Sequence, residues 1–106
     1  MVMEIVFSGG KRVDAFYRGF RIGTDQPRSA GGEASAPTPF DLFLASLGTC
    51  SGFCVLEFCR ERGIPTEDAK LTLHTEKDAT SGMLSRITIE LDLSVEFPRR
   101  YEEAVI

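Results

Sequence analysis

Residues 37–63 read PTPFDLFLASLGTCSGFCVLEFCRERG, and this segment contains most of the information about the fold. Thr38 is suited to cap a helix and Pro39 to occupy its first turn, while Gly63 is typical of the residue that ends one. The segment therefore predicts a helix from about residue 39 to residue 62. Its apolar side chains point to nearly every side, which predicts a long central helix that is buried all round.

The length of the chain bears on how this helix can be buried. A chain of 106 residues fits a single domain, residues 1–106, and a domain of this size buries a smaller fraction of its surface than a larger one does. We therefore expect a second copy of the chain to cover part of the helix.

Strand patterns lie on both sides of the helix. Residues 1–7 predict a short strand, and residues 12–25 predict one long strand or two short ones with a break at Gly19. Apolar and polar residues alternate over 71–76 and again over 87–97, which predicts antiparallel strands with one solvated face.

The last segment, FPRRYEEAVI, predicts the first two turns of a second helix that begins at Pro98. The order of elements is then strands, long helix, strands and second helix. This order predicts an α+β fold with antiparallel sheets.

The composition excludes several classes of partner. The net charge is −4 and the pI is about 5.0, so no basic surface for nucleic acid is expected. We expect no apolar run long enough to span a bilayer, and hence no membrane partner. The N-terminus also lacks a signal-peptide pattern. These features predict a cytoplasmic protein whose three cysteines stay reduced.

All three cysteines lie on the predicted helix. Each helical residue turns about 100°, so Cys50 and Cys54 share one face, whereas Cys59 lies about 180° from Cys50. For Cys54 and Cys59 the bulky apolar neighbours favour a packing role. No metal site is predicted, because the chain has no Cys-x-x-Cys and its single histidine, His74, lies far away on the polar side of a strand.

Small and polar residues surround Cys50: Gly48, Thr49, Ser51 and Gly52. Glycine costs about 1 kcal/mol in a helix interior relative to alanine, so two glycines within five residues need a reason. One interpretation is a pocket beside a reactive thiol, formed by Gly48, Thr49 and Gly52. The other is a tight helix crossing in which Cys50 acts as a small buried apolar residue.

The stretch TDQPRSAGGEASAPTPFDLFLASLGTCSG, residues 24–52, resembles the OsmC/Ohr superfamily of osmotically induced and organic hydroperoxide resistance proteins. The resemblance rests on Asp-Gln-Pro, the Gly-Gly loop, Pro-x-Pro before the helix, Leu-x-x-Leu-Gly-x-Cys within it, and the long alternating strand that follows. It is closest to the YhfA-like branch of the superfamily.

The resemblance implies an intertwined homodimer, in which antiparallel sheets wrap around the paired central helices. It also implies reduction of small organic hydroperoxides, a stress-response activity that uses neither metal nor organic cofactor. The peroxidatic cysteine of the family matches Cys50, whose thiolate would attack the peroxide and become a sulfenic acid. In the family a second cysteine then closes a disulfide, which a dithiol reductant reopens.

Two features depart from the family pattern. The chain ends at Ile106, where the helix that carries the second cysteine would begin, so a C-terminally short form is expected; Cys54 is considered as a secondary thiol. The family's glutamate at the helix start, which holds an arginine over the thiol, falls on Phe40, and Asp41 is one place away. Candidates for that arginine are Arg18, Arg21 and Arg28.

The leading hypothesis is an OsmC-like thiol protein that reduces organic hydroperoxides through Cys50. The alternative is a non-catalytic dimeric protein, binding or structural, that holds a small apolar ligand near Gly48 and Gly52. A third hypothesis is an inactive truncated form.

Overall fold

The computed structural model of this protein describes residues 1–92. The chain consists of a first unit, Met1–Ala45, and a second unit that begins at Ser46. The long helix α1, Pro39–Glu61, starts in the first unit and continues in the second.

The first unit contains a three-stranded antiparallel sheet in the order β1-β2-β3, formed by Glu4–Gly9, Arg12–Tyr17 and Phe20–Thr24. The turn from β2 to β3 consists of two residues, Arg18 and Gly19, which both have positive φ, at 47° and 81°. Positive φ at both central positions suits the right-handed twist of a hairpin. The predicted segment 12–25 is therefore two short strands, and Gly19 lies in their turn.

The loop between β3 and α1 is held by backbone hydrogen bonds and contains one turn of 3₁₀ helix, Arg28–Ala30. The N–H group of Asp25 donates to the carbonyl of Pro37 at 3.1 Å, which joins the two ends of the loop. A Cβ atom on Gly32 would lie 2.1 Å from the carbonyl oxygen of Gln26. Only glycine allows this close approach of two backbone segments.

Both ends of α1 agree with the prediction within one residue. Thr38 Oγ1 accepts a hydrogen bond from the Asp41 N–H at 3.1 Å, and Asp41 Oδ2 accepts one from the Thr38 N–H at 3.3 Å. This reciprocal pair is a capping box.

At the C-terminal end of α1 the Ile64 N–H donates to the Cys59 carbonyl at 2.9 Å, and Gly63 has a φ of 66°. These contacts form a Schellman motif, which satisfies carbonyls that the helix itself leaves open.

The second unit contains the antiparallel pair of β4, Lys70–Lys77, and β5, Leu84–Asp92. Their apolar residues face the C-terminal half of α1, where Val55 and Cys59 are buried. Partly buried apolar residues that surround these two are Phe58, Ile64, Leu71 and Leu91. The predicted extension of the last strand to residue 97 and the helix from Pro98 lie outside the described residues.

Most of α1 is uncovered in the isolated chain. Val55 and Cys59 are its buried residues, whereas Phe40, Phe43 and Phe53 are 49%, 53% and 59% exposed. The prediction of a helix buried on all sides is therefore not met by one copy of the chain.

The expectation that no apolar segment is long enough to span a bilayer is wrong. The helix α1 has 23 residues and is long and apolar enough to cross a membrane, judged by length and composition alone. The core helix of a soluble protein satisfies the same criterion.

Candidate functional site

Cys50 lies near the middle of α1, and its side chain is exposed. Side chains three positions away on a helix are neighbours, so Leu47 and Phe53 flank the thiol along the helix surface. Phe53 is 59% exposed and Leu47 is half-buried. The thiol therefore stands in an apolar surface that is open to solvent in the isolated chain.

The two glycines near Cys50 are not explained by packing within the chain. Among residues 1–92, no atom lies within 4 Å of a Cβ built on Gly52. A Cβ on Gly48 would meet only Leu73 Cδ1, at 3.8 Å, which is ordinary van der Waals contact. Thr49, between Gly48 and Cys50, is exposed and its hydroxyl donates to the Ser46 carbonyl at 3.3 Å. Hence the described part of the chain forms no tight crossing at Gly48 or Gly52. Both glycines are two positions from Cys50, about 160° away around the helix, so the open space at Gly52 lies on the side of α1 away from the thiol.

The other two thiols differ in burial. Cys59 is 1% exposed and packs in the core of the second unit, as the sequence predicts. Cys54 is exposed. Because Cys54 is one helical turn from Cys50, both thiols lie on the exposed face of α1. Packing within the chain therefore accounts for Cys59 and not for Cys54.

The carboxylate at the start of α1, that of Asp41, caps the helix. Phe40 occupies the position at which the resemblance leads us to expect a glutamate, and its ring stacks on Phe43 with centroids 6.0 Å apart. The neighbouring carboxylate, Asp41, is engaged with Thr38 in the capping box. Asp41 therefore serves the helix terminus.

The candidate arginines are distributed over the first unit. Arg21 is bound to Asp14, with its Nη2 and Nε atoms 2.7 and 3.1 Å from Asp14 Oδ2. Arg18 lies in the turn after β2, and Arg28 lies in the 3₁₀ turn. Of the three, Arg21 has an identified structural role.

Asp14 is a buried carboxylate on β2 that the sequence analysis missed. Besides Arg21, it accepts hydrogen bonds from the Ser8 hydroxyl at 2.8 Å and from the Thr24 N–H at 3.3 Å. The Arg21 hydrogen bonds are the largest cause of a lowered Asp14 pKa, followed by the Ser8 hydrogen bond. A charged residue within a strand gives no sign that it will be buried, so the sequence did not indicate this role for Asp14.

Asp25 is a second buried carboxylate that was missed, and it organises the loop before α1. Its oxygens accept hydrogen bonds from the Ser35 hydroxyl at 2.6 Å, the Ser35 N–H at 3.1 Å and the Gln26 N–H at 2.7 Å. These bonds, with that of Ser35 as the largest cause, lower the Asp25 pKa from 3.8 to about 2. The Asp-Gln-Pro and Gly-Gly signals in the sequence mark this loop, although neither shows that the carboxylate closes it.

A cleft of about 250 Å³ lies between the turn after β1 and the loop after β3 in the first unit. Two cations, Lys11 and Arg12, and two carboxylates, Asp25 and Glu33, contribute to its lining. These opposite charges favour neither an anionic nor a cationic ligand.

The described residues contain no group of three or more histidine, cysteine or acidic side chains arranged to hold a metal ion. His74 is exposed on β4, and its Nε2 atom lies 3.4 Å from Glu90 Oε2 on β5. This agrees with the prediction of a solvated or locally hydrogen-bonded histidine.

The family model described as OsmC-like protein matches residues 32–105. This match covers well over half of the chain, and the protein therefore belongs to the OsmC-like family. No match was found among curated proteins.

Solved structures with the same fold include three bacterial proteins. One from Psychrobacter arcticus, described as an osmotic stress induced and detoxification response protein, shares 20% identity at a TM-score of 0.83; the match covers 99% of this chain and 78% of that one. The organic hydroperoxide resistance protein OsmC of Legionella pneumophila shares 20% identity at a TM-score of 0.61, with coverage of 98% and 77%. A Vibrio cholerae protein described as an organic hydroperoxide resistance protein, with captopril bound in one active site, shares 17% identity at 0.59, with coverage of 99% and 74%. At these identities the likeness establishes the fold, which is the α+β OsmC-like fold that the sequence predicts.

Proposed function

We propose that this protein reduces small organic hydroperoxides, with Cys50 as the peroxidatic thiol. The observation that carries the proposal is an exposed thiol near the middle of an apolar helix, flanked along the helix surface by Leu47 and Phe53. Membership of the OsmC-like family and the hydroperoxide resistance of two structural relatives support it.

The chemistry requires the thiolate form of Cys50. Its sulfur attacks the terminal oxygen of the hydroperoxide, the O–O bond breaks, and the organic group leaves as an alcohol after taking up a proton. Cys50 then carries a sulfenic acid, which is reversible. A dithiol reductant restores the thiol by forming its own disulfide and releasing the sulfenic oxygen as water. No metal or organic cofactor enters these steps.

The surroundings of Cys50 favour an organic substrate over hydrogen peroxide. Leu47 and Phe53 lie one turn away on either side of the thiol. Apolar surface removed from water contributes about 25 cal/mol per Å², so an alkyl or aryl group on the peroxide gains affinity here.

The proposed assembly is a homodimer of single OsmC-like domains, each formed by residues 1–106, in the cytoplasm. Exposed aromatic side chains along α1 support the dimer, because an isolated soluble chain seldom leaves such a surface in water. The helix α1 is apolar enough to cross a bilayer. In the proposed dimer its apolar side chains are buried against a second α1, so the protein needs no membrane partner. Light scattering at several protein concentrations tests the mass of the assembly.

The activity is tested by following cumene hydroperoxide consumption with dithiothreitol as the reductant. We expect Cys50→Ser to reduce the rate to the uncatalysed background and Cys59→Ala to retain most of it. Mass spectrometry after dimedone treatment should place the sulfenic acid on Cys50. Slow alkylation of Cys50 near neutral pH, unchanged by prior peroxide, would contradict the proposal.

The second candidate function is non-catalytic binding of a small apolar ligand near Gly48 and Gly52. It is favoured by the start of α1, where Phe40 replaces the expected glutamate and Asp41 is occupied by Thr38. This function predicts a protein inert to peroxide in which both Cys50→Ser and the wild type bind the same ligand.

A further inference from the structure

Cys50 and Cys54 form an exposed pair of thiols on one face of α1. The helix is continuous from Pro39 to Glu61, so the two residues keep regular i and i+4 positions. At this spacing the Cβ atoms of a helix are about 5–6 Å apart. The proposed peroxide chemistry uses only Cys50, and packing within one chain does not account for Cys54.

A disulfide between these thiols does not fit an intact helix. Disulfides require Cβ atoms about 3.5–4.5 Å apart, joined through an S–S bond of about 2.05 Å. The Cys50 and Cys54 Cβ atoms are therefore about 1–2 Å too far apart. Hence the pair stays a dithiol as long as α1 remains helical.

A two-coordinate metal ion fits the same spacing. Zinc–thiolate bonds are about 2.3 Å long, and a linear S–metal–S unit with bonds of similar length separates the sulfurs by about 4–5 Å. This separation matches two thiols that project side by side from Cβ atoms about 5–6 Å apart. The Cβ spacing of the helix thus suits a metal bridge between the two sulfurs and does not suit a disulfide.

We propose that Cys50 and Cys54 of one chain bind one Cu(I) ion as a bis-thiolate chelate. Soft thiolate ligands select Cu(I), which accepts two-coordinate geometry, whereas structural zinc is almost always four-coordinate. Residues 1–92 offer no third cysteine, histidine or carboxylate grouped with the pair. One turn from Cys50, Leu47 and Phe53 are apolar, and the hydroxyl of Ser46 is a neutral oxygen that a soft Cu(I) ion does not favour.

Binding involves no electron transfer. Each protonated thiol loses its proton as its metal–sulfur bond forms, so Cu(I) binding weakens as the pH falls. The inference does not depend on peroxide reduction. Oxidation of Cys50 to a sulfenic acid would nevertheless remove one thiolate ligand and release the ion.

The test is an anaerobic titration of the fully reduced protein with Cu(I) in competition with bicinchoninate. Wild type and Cys59→Ala are expected to bind one ion per chain with equal affinity. Cys50→Ser and Cys54→Ser are expected to lose about 100-fold or more in affinity, because each destroys the chelate. Circular dichroism establishes that the exposed substitutions leave α1 folded.

A control variant keeps the number of thiols and changes only their direction. Ser51→Cys combined with Cys54→Ser places the second thiol one residue from Cys50, where adjacent helical side chains do not face each other. We expect this variant to bind as weakly as Cys54→Ser alone. Tight binding by Cys54→Ser, dependence on Cys59, or one ion per two chains would overturn the proposal. Peroxide consumption by Cys54→Ser, measured separately, distinguishes failure of the copper site from failure of the reductase.

Discussion

The carboxylate of Asp25 accepts hydrogen bonds from both the hydroxyl and the N–H group of Ser35, at 2.6 and 3.1 Å. This contact joins two residues ten positions apart in the sequence, and the Asp25 N–H bond to the Pro37 carbonyl joins the end of β3 to the start of α1. The position of the helix start therefore depends on a charged group that is 1% exposed.

We predict that the stability of the protein decreases in acid as Asp25 is protonated. Its pKa is lowered from 3.8 to about 2, so its contribution to folding is complete above about pH 4 and is lost as the pH falls towards 2. Because Ser35 is the largest cause, Ser35→Ala should raise the Asp25 pKa and shift acid unfolding to higher pH. Two-dimensional NMR titration of the aspartate carboxyl carbons measures the pKa directly. An unchanged Asp25 pKa in the variant would contradict the assignment.

We predict that Gly32→Ala destabilises the protein by more than about 1 kcal/mol. A methyl group at this position would lie 2.1 Å from the Gln26 carbonyl oxygen, so the backbone must move. Urea unfolding at fixed protein concentration measures the loss. Gly23→Ala is the matched comparison, because Gly23, like Gly32, has no positive φ and its Cβ would lie in ordinary van der Waals contact, 3.5 Å from Asp14 Oδ1. Equal losses in both variants would show that the close contact at Gly32 is unimportant.

We predict that Gly52→Ala stabilises α1 and leaves hydroperoxide consumption nearly unchanged. Alanine is favoured over glycine by about 1 kcal/mol in a helix interior, and the new methyl group meets open space in the described part of the chain. Urea unfolding should therefore show equal or higher stability, while the rate of hydroperoxide consumption stays close to that of the wild type, because Gly52 lies about 160° around the helix from Cys50. A variant with much lower activity would show that the face of α1 that carries Gly52 takes part in the reaction.

We predict that Thr38→Ala lowers stability by about 1 kcal/mol, because Thr38 Oγ1 caps the Asp41 N–H. Thr38→Ser keeps the hydroxyl oxygen and should unfold at nearly the same urea concentration as the wild type. A similar loss in both variants would indicate that the methyl group of Thr38, and not the cap, matters.

The limits of α1 follow from the sequence because capping is a local property. Thr38, Pro39 and Gly63 each act through backbone groups within one turn of the helix end, so neighbouring residues suffice to predict them. The strand pattern of 71–76 is equally local, since alternation alone determines which side chains share a face of β4. The Leu-x-x-Leu-Gly-x-Cys pattern, residues 44–50, is likewise local and indicates the family from the sequence alone.

The environments of individual side chains depended on tertiary structure. The sequence places Cys54 and Cys59 among similar apolar neighbours, yet β4 and β5 cover only the helix face that carries Cys59, and Cys54 stays exposed. Burial of Asp14 and Asp25 was also not predictable, because a charged residue is buried only where distant donors converge on it. Spacing along one helix therefore determined which thiols share a face, and the packing of segments far apart in sequence decided which of them meets solvent.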